Sequence, residues 1–302
     1  MTGTGKKILV AGGGNQVAAF LLPALLRAGH RVRVHSRRSR PAWVAEHAQL
    51  TWDVGPWHQA HHAAADAQAL IYLAPLDQFP ALWCGLSGVA RVVCFSSTSR
   101  LSKADSADDA ERAVASVLAS GEQQVSDLAA AAGAALAVLR PTLIYGAGLD
   151  RNITRLARFL LRWRVMPILG TGGGRRQPVH AADLAGAAQA LIDRAAPLSG
   201  TYELTGGETL GYRDMVSRIF ASLNLPPRFI RVPAGLARAA VPLLRRTRRW
   251  RDLNPSMLVR MNQDLVYDPA PATHDFGYAP RPFRPTRATW LRLDQRSHAE
   301  PG

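Results

Sequence analysis

Lysine is nearly missing from this chain: among 37 lysines and arginines in 302 residues, only Lys6, Lys7 and Lys103 are lysines. Any chemistry that needs an ammonium group beside the reacting atoms therefore has few places to be. Cysteine is scarce as well. Cys84 and Cys94 cannot form a disulfide framework, so the chain reads as one folded in a reducing, cytoplasmic setting. Long apolar runs are absent too. The longest, Val17 to Leu26, is interrupted by Pro23 and stopped by Arg27, well short of the roughly 20 residues a membrane-spanning helix requires. The opening MTGTGKKILV has no apolar stretch followed by a small-residue cleavage site, and no secretory signal is expected. One further absence is local: no carboxylate stands between Gly12 and Ala45.

What is present is a globular composition, 47% hydrophobic and 20% charged, with an uneven charge of +15. Residues 1–150 hold 13 Lys+Arg against 11 Asp+Glu, a net +2, which leaves 24 against 11, or +13, for residues 151–302. Such a one-sided field favours an acidic partner.

The first half alternates β-like and helix-like stretches, the rhythm of a parallel sheet covered on both faces. Strands are expected at Lys7–Ala11, Arg31–Ser36, Leu50–Val54, Ala69–Leu73, Val92–Ser96 and Leu136–Arg140, with helices over Gln16–Ala28 and Asp108–Ala132. Arg31 and Arg33 fit poorly in a strand buried on both faces. After Gly148 come a basic helix near Asn152–Trp163, a loop GTGGGRR, a helix over Ala181–Arg194 and Pro-rich joints. The fold class read from this is α/β, a doubly wound parallel sheet with a smaller lobe. The dinucleotide-binding domain is expected over 1–148 and the substrate lobe mainly over 149–302, with some segments returning to the sheet.

The decisive local stretch is VAGGGNQVAA, residues 10–19, whose glycines follow a strand and open a helix. That context suits a pyrophosphate, cradled by Gly12, Gly14, Asn15, Gln16 and Val17 and favoured by the positive end of the helix. Asn15 stands where a middle glycine is usual and is a residue that tolerates positive φ; Ala18 replaces the last one. An acidic residue about 20 positions on would read the ribose of NAD, whereas arginine suits a 2′-phosphate. Strand two ends HSRRSR, so Ser36, Arg37 and Arg38 point to NADP over NAD, and Asp53 is placed to reach the adenine.

With the glycine turn, the segments IYLAP, CFSSTS, LRPTLIYG, RRQPVHAADLA and YDPAPATHDFGYAPRPF make the chain resemble the extended short-chain dehydrogenase/reductases, specifically the NAD-dependent epimerase/dehydratase family. The resemblance implies a Rossmann fold and cofactor-dependent redox chemistry on nucleotide-sugars and similar substrates. It also implies that Leu73, Ala74, Pro75, Ser96 and Pro141 line the cofactor. Ser97 and Thr98 match the Ser/Thr that binds the reacting oxygen, and Arg176, four residues before His180, matches an arginine that holds substrate phosphate. A guanidinium can grip phosphate through two parallel hydrogen bonds.

One element of the resembled site is lacking. Those enzymes use a Tyr-x-x-x-Lys pair on the helix after strand five, and here Val114 and Leu118 occupy the corresponding places. Tyr145, Lys103 or water is left as the proton donor. His180 and Asp183 read more simply as residues that join loop to helix. His58, His61 and His62 with Asp66 read as a surface helix, so no metal is expected. The basic run RRTRRWR, 245–251, lacks a nucleic-acid motif and reads as a solvated face or the subunit contact of a homodimer. Two functions follow: an NADP(H)-dependent oxidoreductase or epimerase acting on a phosphorylated small molecule, or a non-catalytic NADP(H)-binding module with a basic partner face.

Overall fold

The computed structural model describes residues 5–60, 66–150, 152–233 and 260–291. Six strands alternate with helices in the first half: β1 (Lys7–Ala11), β2 (Arg31–Ser36), β3 (Leu50–Val54), β4 (Ala69–Tyr72), β5 (Arg91–Phe95) and β6 (Ala135–Pro141). A seventh, β7 (Gly200–Leu204), returns from the second half to pair with β6. The sheet runs β7-β6-β5-β4-β1-β2-β3, with every neighbouring pair parallel. The order reverses between β1 and β4, and a doubly wound sheet opens its ligand crevice at the carboxyl ends of such strands.

The strand side chains show why both faces must be covered. Successive residues point to opposite faces. Ile8 and Val10 of β1, with Ala69 and Ile71 of β4, join one apolar core. Leu9 and Ala11, with Leu70 and Tyr72, join the other. The first core is closed by helix α1 (Ala18–Arg27), the second by helix α2 (Asp109–Ala131) and the 79–83 helix. Leu21 of α1 is fully buried, a placement worth about 2 kcal/mol by apolar transfer alone.

Helix α2 begins where Asp108 accepts hydrogen bonds from the N–H groups of Ala110 and Glu111. Asp109 and Glu111 in its first turn complement the helix dipole. A third apolar core is assembled from Tyr145 onward. It includes helix α3 (Ile153–Trp163), α5 (Tyr212–Ser222), Phe283 and Trp290. Helix α4 (Ala181–Asp193) instead joins the first core beside α1. Carbonyls at its C-terminal end accept from Lys6 and Arg91, cations placed where the helix dipole is negative.

Arg33 finds its explanation in the sheet order. Because β3 is the edge strand, the Arg33 guanidinium can lie over it and grip Asp53 at 2.6 and 3.3 Å. Among the described residues no helix is long and apolar enough to cross a membrane.

Candidate functional site

At the first end of the crevice the three glycines answer to three different constraints. Gly12 sits at φ +89°, where a side chain is strained, and lies tight against Leu73 and Ala74. A Cβ on Gly13 would fall 2.5 Å from Val34 Cγ1 and about as close as 3.0 Å to the Trp52 ring. A Cβ on Gly14 would meet nothing within 4 Å. Packing does not require Gly14.

Asn15 works differently from the expectation. Its backbone is not in the positive-φ region. Instead its Oδ1 accepts from the N–H groups of Val17 (2.9 Å) and Ala18 (3.0 Å), and its Nδ2 donates to Leu73 O (3.1 Å). The side chain thus starts the helix, which opens at Ala18, and ties the glycine turn to the end of β4. Ala18 is fully buried where the missing glycine would lie. Beside it the Oε1 of Gln16 is buried with no partner among the described residues. A buried carbonyl oxygen without a donor costs free energy unless a ligand supplies one. Across the turn, Tyr72 donates to Pro75 O at 2.7 Å and fixes the Leu73–Ala74–Pro75 wall.

At the end of β2, the Ser36 hydroxyl accepts from the Arg38 N–H (3.2 Å), and Trp52 Nε1 donates to Arg38 O (3.1 Å). Arg37 lies over the Trp57 ring at 5.9 Å. Both arginine side chains are exposed, and neither has a carboxylate partner among the described residues. The Asp53 carboxylate, expected to reach the adenine, is engaged by Arg33 across the sheet edge.

The other end is built from side chains. Ser96 donates to Glu122, a buried carboxylate that also holds Arg140 (3.0 and 2.6 Å) and Arg100 (3.0 Å). Ser97 Oγ accepts from the Ser99 N–H. Thr98 is buried and fastened to Pro141 O by both its hydroxyl (3.1 Å) and its N–H (3.2 Å). Lys103 stands 3.8 Å from Glu111, which Arg260 and Ser106 also contact. The Glu122–Arg140 pair sets the register of α2 against β6 and puts Leu118 and Val114 one and two turns earlier. Val114 is 42% exposed, so this part of the helix offers apolar surface in place of a phenol and an ammonium.

Two expected residues belong elsewhere. Tyr145 is buried between His180 and Phe283, at ring distances of 5.0 and 4.8 Å, and burial pushes its phenol far above the ordinary range. It is a core residue rather than a proton donor. Arg176 is only 4% exposed and donates to the carbonyls of Arg175, Gln263 and Arg260 while lying over Tyr212. Burial lowers its pKa. The expected phosphate grip is here a clasp for the 260–263 segment. His180, expected beside Arg176 at the substrate, accepts at Nδ1 from Ala182 N and caps α4. Asp183 holds Arg281.

The structure also brings in a residue that the sequence reading passed over. Tyr267 donates its hydroxyl to Thr98 O at 3.4 Å. Its main chain is held by the buried amide of Gln177, which accepts from Tyr267 N (2.8 Å) and donates to Tyr267 O (3.1 Å). The motif containing Tyr267 was visible, but nothing local joins it to a threonine 169 positions away. Among the described residues no group of side chains could hold a metal ion. His61, His62 and the RRTRRWR run lie outside the described residues.

Residues 83–204, which contain β5, α2, β6 and β7, match the NAD dependent epimerase/dehydratase family. The chain has a curated relative, a 2-alkyl-3-oxoalkanoate reductase of Stenotrophomonas maltophilia, 26% identical over 91% of this chain and 95% of the relative. A shorter likeness, 27% identical over 34% of the chain, is to a quarter of an Arabidopsis thaliana mitochondrial NADH dehydrogenase alpha subcomplex subunit 9. The fold is shared with MoeE5, solved with UDP-glucuronic acid and NAD, at TM-score 0.70, 21% identity and coverage of 97% and 100% of the two chains. It is shared equally with a UDP-glucose-4-epimerase of Stenotrophomonas maltophila, TM-score 0.70 and 18% identity, covering 98% and 100%.

Proposed function

We propose that the chain binds NADP(H) and serves as an oxidoreductase or epimerase acting on a small anionic molecule, with a phosphorylated substrate as the leading class. The observation that carries this reading is the pairing of an open glycine, Gly14, with two exposed guanidiniums, Arg37 and Arg38, that have no carboxylate among the described residues. Asn15 takes the N–H groups of Val17 and Ala18, so the preceding Gly13–Gln16 turn is the part that meets the pyrophosphate. The buried Oε1 of Gln16 fits a ligand that brings a donor. Arg37 and Arg38 then read the 2′-phosphate, one of them steadied on Trp57.

A bound nicotinamide supplies a hydride donor or acceptor. The chain's own part is to position it: Pro141 O and Thr98 are locked together, and the Ser96–Glu122–Arg140 network holds both strand ends beneath. The anionic substrate class rests on the +13 of residues 151–302 and on the relatives, which act on an oxoalkanoate or bind UDP-sugars. A second reading has its own observation. Val114 and Leu118 are apolar, and Lys103 faces Glu111, which suits a module that binds the cofactor without turnover.

Calorimetric titration with NADP, NADPH, NAD and NADH tests the first statement, and tighter binding of the phosphorylated pair is expected. The loaded protein is then offered 2-alkyl-3-oxo acids and UDP-sugars, following nicotinamide absorbance and hydrogen exchange at substrate carbons. Tight binding with neither signal across both panels favours the module. Absence of binding heat removes the whole reading.

A further inference from the structure

Around the reacting end the hydrogen bonds close into a ring. Thr98 is fastened to Pro141; Thr142, next in the chain, donates its hydroxyl to Gln177 O; the Gln177 amide clamps the main chain of Tyr267; and the Tyr267 hydroxyl returns to Thr98 O. In a doubly wound sheet one half of a dinucleotide lies over the strands on each side of the reversal. With Arg37 and Arg38 at the β2 end, the nicotinamide half falls over the ends of β5 and β6, where Thr98 and Pro141 emerge.

The six tyrosines of the chain can then be compared. Tyr72 and Tyr278 are buried and bonded to carbonyls at 2.7 Å, and Tyr145 is enclosed between rings. Tyr202 is bonded to Asp275 at 2.8 Å, and Tyr212 lies under Arg176. Tyr267 combines a main chain held at both its N–H and its carbonyl by one buried amide with a weakly bonded hydroxyl. Its 3.4 Å contact is well beyond the usual 2.7–2.8 Å of an O–H···O bond, so the hydroxyl can turn to a better acceptor.

We propose that Tyr267 is the proton-moving group of this site and stands in for the absent Tyr-x-x-x-Lys pair, with Gln177 positioning the ring. In the reducing direction a bound nicotinamide would supply the hydride to the substrate carbonyl carbon and would itself be oxidised, leaving the carbonyl oxygen to take up a proton. The Tyr267 O–H bond breaks as the substrate O–H bond forms, and the phenolate recovers a proton from water. The oxidative direction is the reverse. This rests on the NADP(H) reading above.

The test has one arm that needs no turnover. Protein labelled with ¹³C at tyrosine Cζ gives a Tyr267 signal, assigned by its loss in Tyr267→Phe, and saturation with NADP or NADPH should shift that signal. In Tyr267→Phe, kcat on whichever probe turns over should fall at least 100-fold, with cofactor affinity and KM within about twofold of the original. Gln177→Ala should lower kcat less, through a displaced ring. A stationary Tyr267 signal in protein that binds the cofactor, or unchanged turnover in Tyr267→Phe, overturns the assignment while leaving the cofactor reading intact. If no probe turns over, the ring signal decides alone. No binding heat would overturn both readings together.

Discussion

The two ends of the crevice are built by opposite means. The phosphate end is main chain and open space, contributed by residues 12–17 and 36–38, close together in the chain. The reacting end is side chains from four distant places: Thr98 after β5, Glu122 on α2, Pro141 and Thr142 at β6, and Tyr267 clamped by Gln177. The first end therefore keeps one position, Gly14, at which a side chain would not disturb the fold. The other end is part of what holds the fold.

The strongest way to break this comparison is Glu122→Gln. The carboxylate is buried and faces Arg140, Arg100 and Ser96, and removing one partner of a buried ion pair leaves the others uncompensated. A loss of about 3–5 kcal/mol is expected. Denaturant unfolding measures it, and a midpoint equal to that of the unaltered protein would show that the reacting end is not structural.

Gly14→Asp supplies the contrasting case. Nothing lies within 4 Å of the added Cβ, so thermal unfolding should be unchanged to within about 2 °C. The new carboxylate would sit where a pyrophosphate is expected. Binding of NADPH should fall at least 100-fold, close to 2.7 kcal/mol. A stable variant that still binds would remove the cradle from the glycine turn.

The same contrast explains what could be read in advance. β1, β2 and β3 lie where alternation and length put them, because each strand's face pattern is local. The helix after the glycines starts at Ala18 rather than Gln16, because the Asn15 side chain occupies the turn before it. Asp53 looked available only because its partner, Arg33, is a neighbour across β2 and β3, and pairing with an edge strand is a tertiary fact. Arg176 and Tyr267 follow the same logic. One is drawn inward by carbonyls of 260–263, the other brought to Thr98 by Gln177, and both contacts span more than 80 residues. That no lysine follows a tyrosine at the Tyr-x-x-x-Lys spacing can be read from the sequence, whereas the contact of Tyr267 with Thr98 cannot.

Arg37→Ala with Arg38→Ala sharpens the phosphate end further. The proposed 2′-phosphate contact of the two guanidiniums predicts that NADP affinity drops about 10- to 50-fold while NAD affinity stays within about twofold. Parallel calorimetry with both cofactors is the check. Equal losses for the two would mean that the arginines attract any dinucleotide and select neither.

The smallest effect concerns acid and the C-terminal half. Partial burial alone would raise the Glu208 pKa, but the Arg218 guanidinium and the Phe283 N–H hold it below the ordinary carboxylate value of 4.5. A depressed folded pKa contributes stability that is present above the unfolded value and lost as pH falls through the folded one. The Glu208 and Arg218 side chains are 26% and 39% exposed, so solvent screening limits the contribution to about 1 kcal/mol or less. Yet its partner Phe283 is fully buried in the third core, against Tyr145. Unfolding midpoints of the native protein should therefore decline slightly more steeply below pH 4.5 than those of Glu208→Gln, in which the charge is already gone. Tryptophan fluorescence that includes Trp290 in that core should register the change, with the glycine turn unaffected. Parallel pH profiles for the two proteins would mean that the distant segments are held by packing alone, and the contrast between the two ends would rest on Glu122 and Tyr267.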